Sequence, residues 1–141
     1  MKNVSRILML TLTMLPLFAA AQLKSSDKIV TQVPFEFSVG NKIVPSGQWI
    51  VQPVSPDSRM LMVRNVAAKI SVLTSNMPNE ENRTAAHYGL VFTKLGGHYF
   101  LSAIRVEGSP IVYNLPRSKA EAELRAQNVP ATEQTLLASL Q

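Results

Sequence analysis

The chain of 141 residues contains no cysteine. Disulfides are therefore excluded, as is the thioether lipid attachment of a bacterial lipoprotein, and stability has to come from core packing, a partner or both. There are only two histidines, His87 and His98. A zinc site gathers three or four close ligands, so two histidines alone do not make one. Basic residues stand singly, which excludes the clusters that track a nucleic-acid backbone. No apolar run reaches the roughly 18 residues that a membrane-spanning helix needs, and no G-x-S-x-G nucleophile elbow occurs.

What is present begins with an export signal. Lys2 and Arg6 precede the apolar run Ile7–Phe18, and Ala19-Ala20-Ala21 follows. This is the three-part layout of a secretory signal peptide, expected to be cleaved after Ala21. The alternative, a retained membrane anchor, is disfavoured by the short apolar run. Cleavage leaves twelve basic against nine acidic residues, a net charge of +3, over one domain's worth of chain. An exported chain without cysteine suits the periplasm or exterior of a bacterium better than a disulfide-stapled eukaryotic secreted domain.

The expected organisation is a signal peptide over 1–21, a polar lead over 22–28, a β-sandwich over 29–115 and a C-terminal helix and tail over 116–141. Val33, Phe35, Phe37 and Val39 alternate with polar residues or proline and predict one strand with an apolar face. Gly40-Asn41-Lys42 and Pro45-Ser46-Gly47 are turns, with Ile43-Val44 a short connector between them. Gln48–Gln52 resumes as strand, with Trp49 and Val51 on one face. Ser55–Ser58 is a turn, Met60–Val63 a strand, Ala67-Ala68 a reversal and Lys69–Leu73 another strand. Residues 75–83 carry no periodicity and predict an exposed loop.

Gly96-Gly97 is the strongest hairpin signal. It sets Leu95 opposite His98, Phe92 opposite Leu101 and Tyr88 opposite Arg105, with Leu90, Phe92, Leu101 and Ala103 on one face. Ile111–Tyr113 is expected as the last strand, and Pro116 ends the sheet. Ser118-Lys119-Ala120-Glu121 is a capping box that opens a helix over Lys119–Gln127, stopped by Val129-Pro130. Thr132–Leu140 predicts a further short helix or a frayed tail. Six or seven short strands followed by a helical tail predict an all-β, mainly antiparallel sandwich, with a small barrel as the alternative.

Pro45-Ser46-Gly47-Gln48-Trp49-Ile50-Val51 resembles the P-x-G-x-aromatic-x-V turn and strand of bacterial prealbumin-like and carboxypeptidase-regulatory-like sandwiches. With Val33-Pro34-Phe35-Glu36-Phe37, Val39-Gly40-Asn41-Lys42, Tyr99-Phe100-Leu101-Ser102 and Leu115-Pro116-Arg117-Ser118, most of the mature chain resembles a family of small secreted β-rich proteins of soil bacteria. Trp49 departs from the tyrosine expected there. The resemblance implies export, a β-rich fold and a C-terminal tail, and implies no activity.

Candidate chemistry is thin. His87 and His98 fall at opposite ends of the Gly-Gly hairpin. Asp27 or Asp57 would have to orient one of them for Ser-His-Asp catalysis. Glu36, Asp57 and Glu107 are the carboxylates from which a glycosidase pair would be drawn, and each sits among polar turn or strand residues that suit a solvated face. Asn79-Glu80-Glu81-Asn82 lacks the alternating oxygen ligands of a calcium loop. Asn82-Arg83-Thr84 matches a glycosylation sequon by chance. No catalytic, cofactor-binding or metal-binding residue is expected. The leading functional expectation is an exported, non-enzymatic interaction or structural module, contacting an envelope partner or a second copy through Ser118–Gln141. The alternatives are a ligand-binding barrel whose cavity is lined by Trp49, Tyr88, Phe92 and Tyr99, and, third, a hydrolase.

Overall fold

Val33 and Phe37 are both buried, yet they belong to different sheets. The computed structural model of the protein describes residues 22–24 and 26–141, and the signal-peptide reading over 1–21 lies outside them. The expected single strand is broken at Pro34–Glu36 into β1 (Ile29–Val33) and β2 (Phe37–Val39). Pro34 brings no N–H to a ladder, so it stands where the chain leaves the first sheet for the second. The alternation survives the break, because both strands send these side chains into one core.

The other elements follow in short steps: β3 (Lys42–Val44), β4 (Gly47–Pro53), β5 (Met60–Asn65), β6 (Ile70–Ser75), β7 (Met77–Glu80), β8 (Gly89–Leu95), β9 (His98–Arg105), β10 (Ile111–Asn114), α1 (Lys119–Ala126), β11 (Ala131–Leu137) and β12 (Ser139–Leu140). The first sheet runs β12-β1-β4-β5-β6, and the second runs β11-β8-β9-β10-β7. The β2–β3 hairpin joins β9 beside β10 through a parallel bridge between Ser38 and Phe100. Facing side chains of the two sheets form the core, with Trp49, Phe37, Phe92, Ile29, Leu61 and Leu90 among its largest members. The β-sandwich expectation is met, and the chain builds it from more strands than the six or seven expected.

Local chemistry explains the turns. Trp49 is buried in β4, and its indole N–H donates to the Pro45 carbonyl at 3.0 Å, so the Pro-Ser-Gly turn satisfies the ring's polar atom. Gly47 sits at φ +141°, where a Cβ would stand 2.8 Å from Asn65 Nδ2. Gly96 and Gly97 both take positive φ and close the β8–β9 hairpin.

Four further expectations are corrected. First, Ile43-Val44 is strand rather than connector, paired with β2 from Phe37↔Val44 to Val39↔Lys42. Second, the expected loop over 75–83 contains β7, an exposed edge strand paired with β10. Its side chains show no periodicity because neither face is covered. Third, the β8–β9 register holds from Leu95↔His98 to Phe92↔Leu101, then shifts at a bulge. Ser102 is the extra residue, and its hydroxyl donates to the Val91 carbonyl at 3.0 Å. Beyond it Gly89, not Tyr88, faces Arg105, and Ile104 replaces Ala103 in the core. Ala103 turns outward to pack with Val91 and Val112.

Fourth, the sandwich does not stop at Leu115, Tyr113 does not close its last strand, and Pro116 does not end it. Residues expected as helix or frayed tail form β11, paired with β8 along its whole length, and β12, paired with β1. Ala138, between them, marks the step from the second sheet to the first. The polar lead also contributes: Leu23 is buried, its N–H donates to Tyr113 Oη at 3.1 Å, and its carbonyl accepts from Ser58 Oγ at 2.6 Å. Among the described residues, no helix is long and apolar enough to cross a membrane.

Candidate functional site

The helix is short enough to depend on its neighbours for stability. Ser118 caps it by accepting from the Glu121 N–H at 3.1 Å, but Glu121 does not return the bond as a full capping box would. Its carboxylate is buried and turned instead to Arg125, whose guanidinium reaches Oε1 at 3.1 Å. Asn41, in the β2–β3 turn, accepts from the Lys119 N–H at 3.2 Å. This bond holds the hairpin turn against the start of the helix. The helix lies over β8 and β9, with Ala120 and Leu124 near Phe100 and Glu121 and Arg125 near Ser102.

A groove of about 330 Å³ opens between the helix and the hairpin. Phe100 forms its floor. Ile43, Ala120 and Leu124 supply apolar walls, and Asn41, His98, Glu123 and Gln127 stand on its rim. Ile43 is 67% exposed, and among the exposed large apolar side chains it is the one that lines this groove. A smaller cleft of about 200 Å³ continues past Ser38, Ile43 and His98 to Phe35 and Tyr99. Those two rings stack with centroids 3.7 Å apart and planes at 12°. Lys94 Nζ stands 5.3 Å from the Tyr99 centroid, at cation–π range.

The sequence candidates do not converge on this groove or on one another. His98 lines both clefts, whereas His87 lies beyond the other end of β8. Asp27 accepts from the Lys24 N–H at 2.9 Å, and Asp57 is held by Ser55 Oγ at 2.6 Å and the Arg59 N–H at 3.2 Å. These bonds go to turn groups and not to an imidazole. The two turn bonds, with the Arg59 charge, hold the Asp57 carboxyl below the usual carboxylate range. Glu36 lies beside the Phe35–Tyr99 cleft, Asp57 in the β4–β5 turn and Glu107 in the β9–β10 turn, so they form no acid–base pair. Glu81 is taken by Arg105 at 3.4 Å, while Glu80 ends β7. Asn82, Arg83 and Thr84 are exposed. Among the described residues, no three His, Cys, Asp or Glu side chains stand close enough to hold a metal.

The aromatic residues considered for a cavity separate in the same way. Trp49 and Phe92 are fully buried core, meeting Phe37 edge to face. Of the four, Tyr99 lines the cleft beside Phe35. Tyr88 is half-buried at the start of β8, where burial, and then the charges of Asp27 and Glu107, push its phenol above the usual tyrosine range. The groove residues Ile43, Leu124 and Gln127 escape a reading of the sequence, since they meet only when the helix folds back over β9. Their one advance signal is Ile43, an aliphatic residue between two turns.

No family model, curated protein or solved structure matches this chain.

Proposed function

We propose that this chain is an exported, non-enzymatic β-sandwich of the bacterial envelope or extracellular space that works as an interaction module. In this reading the groove between the β2–β3 hairpin and α1 receives an apolar side chain of a protein partner. The observation that carries it is Ile43, 67% exposed and lining, with Phe100 and Leu124, a groove of about 330 Å³. An apolar floor with a polar rim is the anatomy of a small protein–protein contact. The volume lies near the lower limit for small-molecule pockets, which favours a side chain over a free ligand.

Site-specific photo-cross-linking in the producing cell tests this reading. A photoreactive residue at position 43 is expected to capture a discrete protein outside the cytoplasm, while one at position 66, where Val66 is 65% exposed, is not. Capture must also weaken when Leu124 is replaced by aspartate. Equal labelling at both positions, or labelling indifferent to Leu124, overturns the proposal. Recovery of the protein only inside the cytoplasm overturns the exported location.

A further inference from the structure

A sheet edge exposes a row of backbone donors and acceptors, and natural sandwiches guard such edges with charge, proline, bulges or extreme shortness. Most free edges here are guarded in one of these ways. The outer strand β12 has two residues, β3 has three and carries Lys42, β7 contains Pro78 and Glu80, and β11 carries Glu133. The exception is β6, Ile-Ser-Val-Leu-Thr-Ser, which has six residues with no charge, no proline and no register shift against β5.

The phase of its hydrogen bonds can be read from its neighbour. Asn76 N–H donates to the Arg59 carbonyl at 2.9 Å, continuing the register in which Met60 faces Ser75. Ile70, Val72 and Thr74 share the parity of Asn76, so their backbone groups turn toward β5. Those of Ser71, Leu73 and Ser75 turn toward the open edge. The Ser75 carbonyl accepts from Thr74 Oγ1 at 3.2 Å and retains a second lone pair.

This edge is complementary to itself. Under a two-fold axis through Leu73, antiparallel pairing sets Leu73 opposite the second copy's Leu73, and Ser71 opposite its Ser75. Every outward backbone group of the three residues then finds a partner, and no like charges meet. Leu73 is 58% exposed on the outer face and is paired across β5 with Met62. At the axis the two Leu73 side chains would cover each other and join two Met62–Leu73 stripes. The half-buried Ile70 and Val72 would gain cover on the inner face.

We infer that the protein forms a two-fold dimer by pairing β6 with β6 of a second copy, fusing the two first sheets into one. This surface is separate from the hairpin–helix groove and does not depend on it.

The absence of native cysteine makes the test direct. A hydrogen-bonded antiparallel pair places opposite Cα atoms about 5.5 Å apart, within the range a disulfide spans. The Leu73→Cys chain is expected to cross-link to a covalent dimer under mild oxidation, at least about tenfold faster than Val66→Cys. Sedimentation of the unmodified protein is expected to show a concentration-dependent dimer. Leu73→Lys, which sets two ammonium groups against each other at the axis, is expected to leave a folded monomer whose melting temperature, unlike the parent's, does not rise with protein concentration. A protein monomeric at all concentrations, cross-linking no faster at position 73 than at 66, or a dimer that survives Leu73→Lys, overturns the inference.

Discussion

Phe37 of the second sheet and Trp49 of the first meet edge to face, with ring centroids 5.2 Å apart and planes at 76°. Phe37 also meets Phe92 edge to face at 5.2 Å, so one ring joins both sheets. Replacing it with alanine opens a cavity between them and is expected to cost about 3–5 kcal/mol. The midpoint of urea unfolding measures this, and an unmoved midpoint would remove Phe37 from the core.

Truncation after Arg117 is expected to abolish cooperative unfolding. It deletes the strand paired along all of β8 and the strand paired with β1, leaving both edges open. A thermal melt followed by circular dichroism decides the matter. A truncated chain that melts as sharply as the parent would return Ser118–Gln141 to the role of a separable docking tail.

Glu121 is a buried carboxylate whose ion-pair partner is Arg125. Arg125→Met keeps much of the packing but leaves that charge unmatched, with an expected loss of about 1–3 kcal/mol. Solvent reaches the pair through the one-third-exposed guanidinium, which limits the loss. The double variant with Glu121→Gln is expected to recover part of the loss. No recovery would show that Arg125 acts through packing alone.

The Tyr88 phenol titrates above its ordinary value because it is partly buried and because Asp27 and Glu107 disfavour a third negative charge. A folded-state pKa raised in this way adds stability that is fully present below the unfolded value of about 10 and is lost as pH rises through the folded value. Tyr88→Phe is therefore expected to flatten the alkaline fall in stability above about pH 10. Comparing urea midpoints of parent and variant at pH 9 and 11 tests this, and parallel slopes would refute it.

Much of the sheet was legible in the sequence because alternation and turn chemistry are local. Trp49 and Val51 share the buried face as their spacing requires, and Gly96-Gly97 sets the hairpin register as far as Phe92↔Leu101. The register beyond that point was not, because it depends on the Ser102 hydroxyl reaching the Val91 carbonyl of the neighbouring strand. β7 and β11 were missed for another reason. Edge strands with exposed side chains have no buried face to impose a period, so Met77–Glu80 reads as loop and Ala131–Leu137 as tail. Thr132 and Thr135, both suited to a strand, were the only hint. The candidate groove was less legible still. It needs the Asn41–Lys119 bond, made across 78 residues, to bring the hairpin and the helix together.

The pairing of Ile29 with Leu140 has a consequence for the order of events in making the protein. Synthesis delivers β1 first, and its outer edge then waits until residues 131–140 have emerged. The outer edge of β8 waits for the same segment. Hairpins such as β8–β9 can form early, but neither sheet is complete until contacts spanning most of the chain have closed, a topology associated with slow folding. A chain built this way has no finished sheet until its last strands are in place.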